Sequence, residues 1–258
     1  MDKIFNDLKI KDFGVALLDM AMPRLCVVCA SPLLLREHCI CTSCLMDLPF
    51  THFWKQSRNP MADRFNEQIQ KAFSSTSDPS SFEPYAYAVS LFFYNSGSPY
   101  KRIPHHLKYE GGIASGRFFA AILADRIKGS EFFSDIDLIL PVPLHWRRRR
   151  KRGYNQAEVI ASELASALAV QMNTKLLVRT RYARSQINVS VETKGENVRG
   201  AFALSKSVNK IGMPRHVLIV DDTFTTGSTL NACREALRTV WPPSVRISVA
   251  TLAYVSAT

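Results

Sequence analysis

From Tyr85 onward, short apolar runs alternate with longer segments whose apolar residues recur at helical spacing. AYAVSLFFY (86–94) reads as a strand, and DLILPVP (137–143) as a buried strand stopped by its prolines. KLLVRT (175–180), HVLIVD (216–221) and VRISVATLAYV (245–255) read as further strands. Between them, YKRIPHHLKYEGG (100–112) predicts a turn and a short helix broken by Gly111 and Gly112, and GRFFAAILADRI (116–127) a helix. NQAEVIASELASALAVQM (155–172), rich in Ala, Leu and Glu, is the strongest helical segment, and STLNACREALRTV (228–240) is another. Alternating strands and helices imply an α/β fold with a mostly parallel sheet flanked by helices on both faces. Ligands of such sheets bind beyond the carboxyl ends of the strands. That places Asp221 and residues 223–228 at one such end and Pro141 to Arg152 at another.

Upstream of Tyr85 the periodicity fades, and the chain divides into three parts. Residues 1–55 predict an N-terminal helix followed by a small cysteine-rich module. Residues 56–84, ending in the Ser- and Pro-rich SSTSDPSSFEP, predict a linker or irregular excursion, and residues 85–258 hold the α/β domain. No run approaches the ~18 apolar residues of a membrane span. Acids interrupt the apolar positions of MDKIFNDLKIKDFGVALLDM, unlike a signal peptide. The expectation is a cytoplasmic protein without membrane insertion.

Five of the six cysteines fall between positions 26 and 44, as CVVC and CICTSC. Two CxxC pairs about a dozen residues apart suit a tetrahedral zinc ion, each knuckle turning two thiolates toward one centre. A disulfide or redox reading is weaker in a reducing compartment. The expected ligands are Cys26, Cys29, Cys41 and Cys44, with Cys39 spare and His38 a less favoured substitute. Four thiolates close the coordination shell, so the Zn2+ would be structural, replacing a core too small to fold alone. Cys233, alone on a predicted helix, reads as a buried small hydrophobe.

Lys and Arg number 33 against 22 for Asp and Glu, a formal net charge of +11. Six of these cations are consecutive, Arg147 to Arg150, Lys151 and Arg152. A run without an acid attracts phosphates, of a nucleic acid or of a small phosphorylated ligand; a solvated loop is the bland alternative.

VLIVDDTFTTGSTL (217–230) carries the candidate chemistry. Two carboxylates at the end of a buried strand serve no packing purpose, since burying an unpaired one costs several kcal/mol. Asp222 also lies too far ahead of a helix starting at Ser228 to cap it. Hydroxyl residues and Gly227 before that helix offer backbone N–H and O–H donors at its positive end, which suits a phosphate. Acids next to a phosphate cradle describe a ribose 5-phosphate. Neither GxxxxGK[ST] nor GxGxxG is present.

That segment resembles the 5-phosphoribosyl 1-pyrophosphate (PRPP) motif of type I phosphoribosyltransferases. The CxxC…CxxC module, YKRIPHHLKYEG (100–111), DLILPVPLHWRRRRKRGYNQAE (137–158) and NVRGAF (197–202), in that order, resemble the ComF family of competence-associated, amidophosphoribosyltransferase-like proteins. The resemblance implies that Asp221 and Asp222 bind the ribose hydroxyls, and that Thr223, Thr225, Thr226, Gly227, Ser228 and Thr229 hold the 5-phosphate. It places a pyrophosphate loop at Leu144 to Arg152, including His145, with Arg152, Gly153, Tyr154, Asn155 and Gln156 matching the RGYNQ stretch. Lys101, Arg102, Lys108 and Tyr109 match a KxxKY-type stretch. The chain departs from the family pattern at Lys194 and Ser185, in a region resembling the mobile hood loop.

The implied reaction is transfer of phosphoribosyl to a nitrogen acceptor, with Mg2+ accompanying PRPP and Arg152 offsetting charge on the departing pyrophosphate; Asp221, Asp222 and Arg152 are the expected catalytic residues. Charge and positioning suffice for such a step. The resemblance also links the chain to DNA uptake in natural transformation. The alternative is a non-catalytic adaptor that binds single-stranded DNA or competence helicase-type proteins, using the basic run with Trp146 and Tyr154 as stacking surfaces. The bland alternative for both aromatics is a core or hinge role.

Overall fold

The computed structural model describes residues 22–73, 83–109, 112–180, 200–206 and 211–256. The expected N-terminal helix (residues 1–21), Ser185 and Lys194 lie outside them. In chain order the helices and strands begin with α1 (Thr42–Met46), α2 (Pro60–Phe73), β1 (Ala88–Tyr94), α3 (Arg102–Tyr109), α4 (Ile113–Lys128) and β2 (Leu138–Pro141). They continue with α5 (Trp146–Arg152), α6 (Gln156–Leu168), β3 (Gln171–Met172), β4 (Leu177–Arg179), β5 (Phe202–Leu204), β6 (His216–Phe224), α7 (Ser228–Arg238) and β7 (Arg246–Val255).

Five strands form one sheet in the order β1-β7-β6-β2-β3, every pair parallel. The central strands are apolar on both faces: Val217 to Val220 and Val249, Ala250, Leu252 and Ala253 are fully buried, as a sheet covered on both sides requires. From β2 the chain moves outward to β3, whereas from β6 it moves to β7 on the other side. The carboxyl ends of β2 and β6 therefore flank the point where the winding reverses, the crevice in which such sheets bind ligands. β2 stops at Pro141, opposite Val220. Beyond it β6 pairs only with β7, through Asp221, Thr223 and Phe224.

Several expectations need correction. Residues 56–84 are not wholly irregular, because α2 occupies half of them. Pro60 takes the first helical position, where its missing N–H costs nothing. The Asn59 side chain accepts the Ala62 N–H at 2.9 Å, and Met61, Ala62, Phe65 and Ile69 bury one face. The helix expected over 155–172 ends at Leu168, where Ala169 turns left-handed, and Gln171–Met172 joins the sheet edge. KLLVRT contributes β4 to a separate antiparallel pair with β5 rather than to the main sheet. HVLIVD extends to Phe224, so both acids lie within the strand. The basic run is helical, not a loop.

The cysteine-rich segment docks on the β1 edge and on α3. The Thr51 N–H donates to Leu91 O at 3.1 Å and the Phe93 N–H to Pro49 O at 2.8 Å. Arg102 Nη1 donates to Val28 O at 2.8 Å, and the Tyr100 hydroxyl to Cys44 O at 3.1 Å. Cys26, Val28, Ile40 and Leu48 continue the core of the sheet without a break.

Candidate functional site

Asp221 and Asp222 stand where β6 has lost its β2 neighbour. Asp222 is buried, and its Oδ2 lies 3.1 Å from Lys108 Nζ, delivered by α3. Burial opposes the charge on Lys108, but Asp222, and then Asp221, outweigh it and hold the ammonium above its usual range. Asp221 accepts the Asp222 N–H at 2.8 Å and has no ion pair among the described residues. Burial, then the neighbouring Asp222 charge, pushes its carboxyl up to about 7. The two acids are therefore unequal: Asp222 is paired with a cation, while Asp221 is pushed toward its neutral form.

Thr223 and Phe224 finish the strand, and residues 225–227 turn into α7. Gly227 has φ +83°, and a Cβ there would lie 2.7 Å from the Phe224 ring, so only glycine fits. Helix α2 holds this turn from outside. Arg64 Nη1 donates to Thr225 O at 3.1 Å and Gln68 Nε2 to Thr226 O. With those carbonyls engaged, the N–H groups of Thr225, Thr226, Gly227 and Thr229 have no partner among the described residues. Thr226 Oγ1 and Ser228 Oγ are hydrogen-bonded at 2.8 Å. Open amides at the start of an eleven-residue helix form an anion cradle beside the acids.

The neighbouring strand end carries the cations. After Pro141 and Pro143, half-buried Leu144 leads to His145, whose Nδ1 accepts the Arg147 N–H at 3.3 Å and caps α5. Burial, with Arg147, Arg179 and Arg148 nearby, lowers the imidazole pKa. Gly153, φ +81°, ends the helix. Arg152 Nη1 donates to Gln156 Oε1 at 3.1 Å, and its guanidinium stacks 5.3 Å over Tyr109. The Tyr154 hydroxyl and Gln156 Nε2 both donate to Leu107 O, at 2.5 and 3.1 Å. Asn155 Nδ2 donates to Val142 O at 3.0 Å while its Oδ1 caps α6. The RGYNQ stretch thus ties α5 to α3, which bears Lys108. Lys101 instead donates to Ser96 O and Arg102 to Val28 O, so neither faces the crevice. Trp146 is 61% exposed and lies beneath Arg147 at 5.2 Å, which removes its core reading; Tyr154 is anchored inward.

Arg64, Gln68 and Arg179 are absent from the sequence-level expectations. Their spacing of four residues puts Arg64 and Gln68 on one side of α2, but nothing local says what they meet.

The Sγ atoms of Cys26, Cys29, Cys41 and Cys44 lie within 4.8 Å of one another. Cys29 and Cys41 are 3.7 Å apart, close to the ~3.8 Å edge of a tetrahedron with Zn–S bonds of about 2.3 Å. The Cys41 N–H points at Cys26 Sγ at 3.4 Å. This is a structural metal site of four thiols with no open position. Cys39 lies outside it, half-buried. Cys233 is fully buried.

A phosphoribosyl transferase domain model matches residues 150–257. Competence protein F of Haemophilus influenzae is 33% identical over 111 residues, 43% of this chain and 48% of that protein. DNA utilization protein YhgH of Salmonella typhimurium is 27% identical over 218 residues, covering 82% of this chain and 89% of that protein. Competence protein ComFC of Streptococcus pneumoniae is 27% identical over 148 residues, covering 57% and 60%. The chain spans about half the length of the first of these. The parallel sheet, together with that domain match, is the fold of type I phosphoribosyltransferases. Within that class, with its four-cysteine cluster ahead of the sheet, the chain is similar to Competence protein F and Competence protein ComFC.

Proposed function

We propose that the chain binds PRPP and transfers its phosphoribosyl group to a nitrogen acceptor, in a cytoplasmic process tied to DNA uptake. The observation that carries this reading is the juxtaposition of Asp221 and Asp222 with the open amides of residues 225–229 at the point where the sheet reverses its winding. Asp221 and Asp222 would receive the ribose 2- and 3-hydroxyls. Thr223, Thr225, Thr226, Gly227, Ser228 and Thr229 would enclose the 5-phosphate. The segment Leu144 to Gln156, with its cationic helix α5, would face the pyrophosphate, Arg152 taking part of its charge. Mg2+, an ion that prefers oxygen ligands, would neutralise pyrophosphate charge when bound with the substrate. Lys108, paired with Asp222 at 3.1 Å, holds that carboxylate in place.

Four thiolates favour zinc in the cysteine cluster. We read residues 1–55 as the zinc-bearing module and 85–258 as the phosphoribosyltransferase domain, with α2 from the intervening 56–84 acting as part of the latter. The link to transformation is supported by the names of the relatives, Competence protein F and Competence protein ComFC.

Calorimetric titration of Mg2+ and PRPP into Asp222→Asn tests the site. The expected loss of affinity is about 10- to 100-fold, the worth of one or two hydrogen bonds to a charged group. An unchanged titration would overturn the assignment. A second reading, a non-catalytic single-stranded DNA adaptor, is favoured by exposed Trp146 beneath Arg147 on the basic helix. It calls for DNA binding that falls steeply with salt and no pyrophosphate release from PRPP in the presence of an amine.

A further inference from the structure

Arg179 ends β4, directly across the hairpin from Phe202. The Phe202 ring holds one face of its guanidinium at 5.1 Å, and the Thr180 N–H bonds Ala201 O at 2.9 Å to fix the hairpin. The hairpin packs against α7, the helix that rises from the candidate phosphate turn. Among the described residues, Arg179 Nε is buried without a hydrogen-bond partner, and Arg179 forms no ion pair. A desolvated N–H left without an acceptor is destabilising. A structural arginine would normally meet a carbonyl or carboxylate.

The charges around it explain what is missing. Arg148, on α5, acts on Arg179 as a repelling neighbour and Asp221 as an attracting one, both after burial in effect. His145 feels the same cationic group. Arg179 is therefore within electrostatic reach of both Asp221 and the basic helix. A planar, rigid fork of donors, half-buried and near a second cationic element, fits an anion that offers several oxygens at once.

We propose that Arg179 is a substrate-binding residue that grips the diphosphate arm of the phosphoribosyl donor, together with the basic helix α5. This assignment rests on reading the crevice as a PRPP site. It adds a residue from outside the pyrophosphate segment and outside the paired-acid motif. A fork held by Phe202 meets the diphosphate from a fixed direction, so it discriminates a diphosphorylated sugar from its monophosphate.

Titration calorimetry on the full chain, in Mg2+, tests this with PRPP, ribose 5-phosphate and inorganic pyrophosphate as separate probes. Arg179→Met is expected to weaken PRPP and pyrophosphate by about 10- to 100-fold and to leave ribose 5-phosphate unchanged. Arg179→Lys, which keeps the charge without the fork, is expected to recover part of the loss, and it serves as the readout should the methionine variant fold poorly. Equal weakening of all three probes, or no weakening of pyrophosphate in either variant, would overturn the role of Arg179. Failure of the unsubstituted chain to bind any probe would instead overturn the PRPP reading on which it stands.

Discussion

Asp221 and Asp222 are adjacent in the chain and opposite in circumstance. Asp222 has Lys108 at 3.1 Å; Asp221 has burial and a neighbouring negative charge, which push its carboxyl up to about 7. A folded-state pKa above the unfolded value of about 3.9 means that the native state holds the extra proton. Asp221 thus contributes stability that is complete below pH ~4 and lost as pH rises toward 7. Asp221→Asn should remove that loss, raising the melting temperature of the ligand-free protein at neutral pH by roughly 2–4 °C while weakening PRPP binding. The gap between variant and parent, followed by thermal unfolding, should open between pH 4 and 7. Paired acids were legible in the sequence because no packing argument explains them; their inequality was not, since Lys108 arrives from more than a hundred residues away. A contrasting case is His216, bonded to Asp135 at 2.6 Å and to Ser248 at 2.7 Å. That is a Ser-His-Asp array, yet His216 and Ser248 are fully buried and the Tyr87 N–H donates to the serine. Without substrate access, the array is a brace at the amino end of the sheet.

Among the elements, strands and long helices of the α/β portion were readable from period alone, because each buries its own apolar face. Helix α2 was hidden by the Ser- and Pro-rich tract that follows it, although Asn59, Pro60 and the spacing of Met61, Phe65 and Ile69 mark a helix start. The hairpin of β4 and β5 was unreadable for another reason: its two strands are separated by more than twenty residues, and pairing across such a gap leaves no local trace. The candidate phosphate turn depends on one backbone conformation. Gly227→Ala forces a side chain into φ +83° and against Phe224 and Gln68. It should cost about 1–3 kcal/mol, seen as a lower urea midpoint, and should reduce PRPP affinity because the displaced Gln68 no longer holds Thr226 O.

For the whole molecule, the cysteine spacing announced a metal site but not where it would dock. Docking runs through Arg102 to Val28 O and Tyr100 to Cys44 O, at the start of the segment that also carries Lys108. Cys26→Ser should therefore release about one zinc per chain, measured by elemental analysis, and lower the melting temperature. It should also weaken PRPP binding at a distance as α3 loosens. Retention of full zinc would count against Cys26 as a ligand. The grip of Arg64 and Gln68 on residues 225 and 226 sets a further boundary. A transplantable unit can therefore begin no later than Asn59, well ahead of the first strand. A shorter excision, such as one starting where the domain model match begins at residue 150, would carry the motif's letters without the splint that gives them their shape.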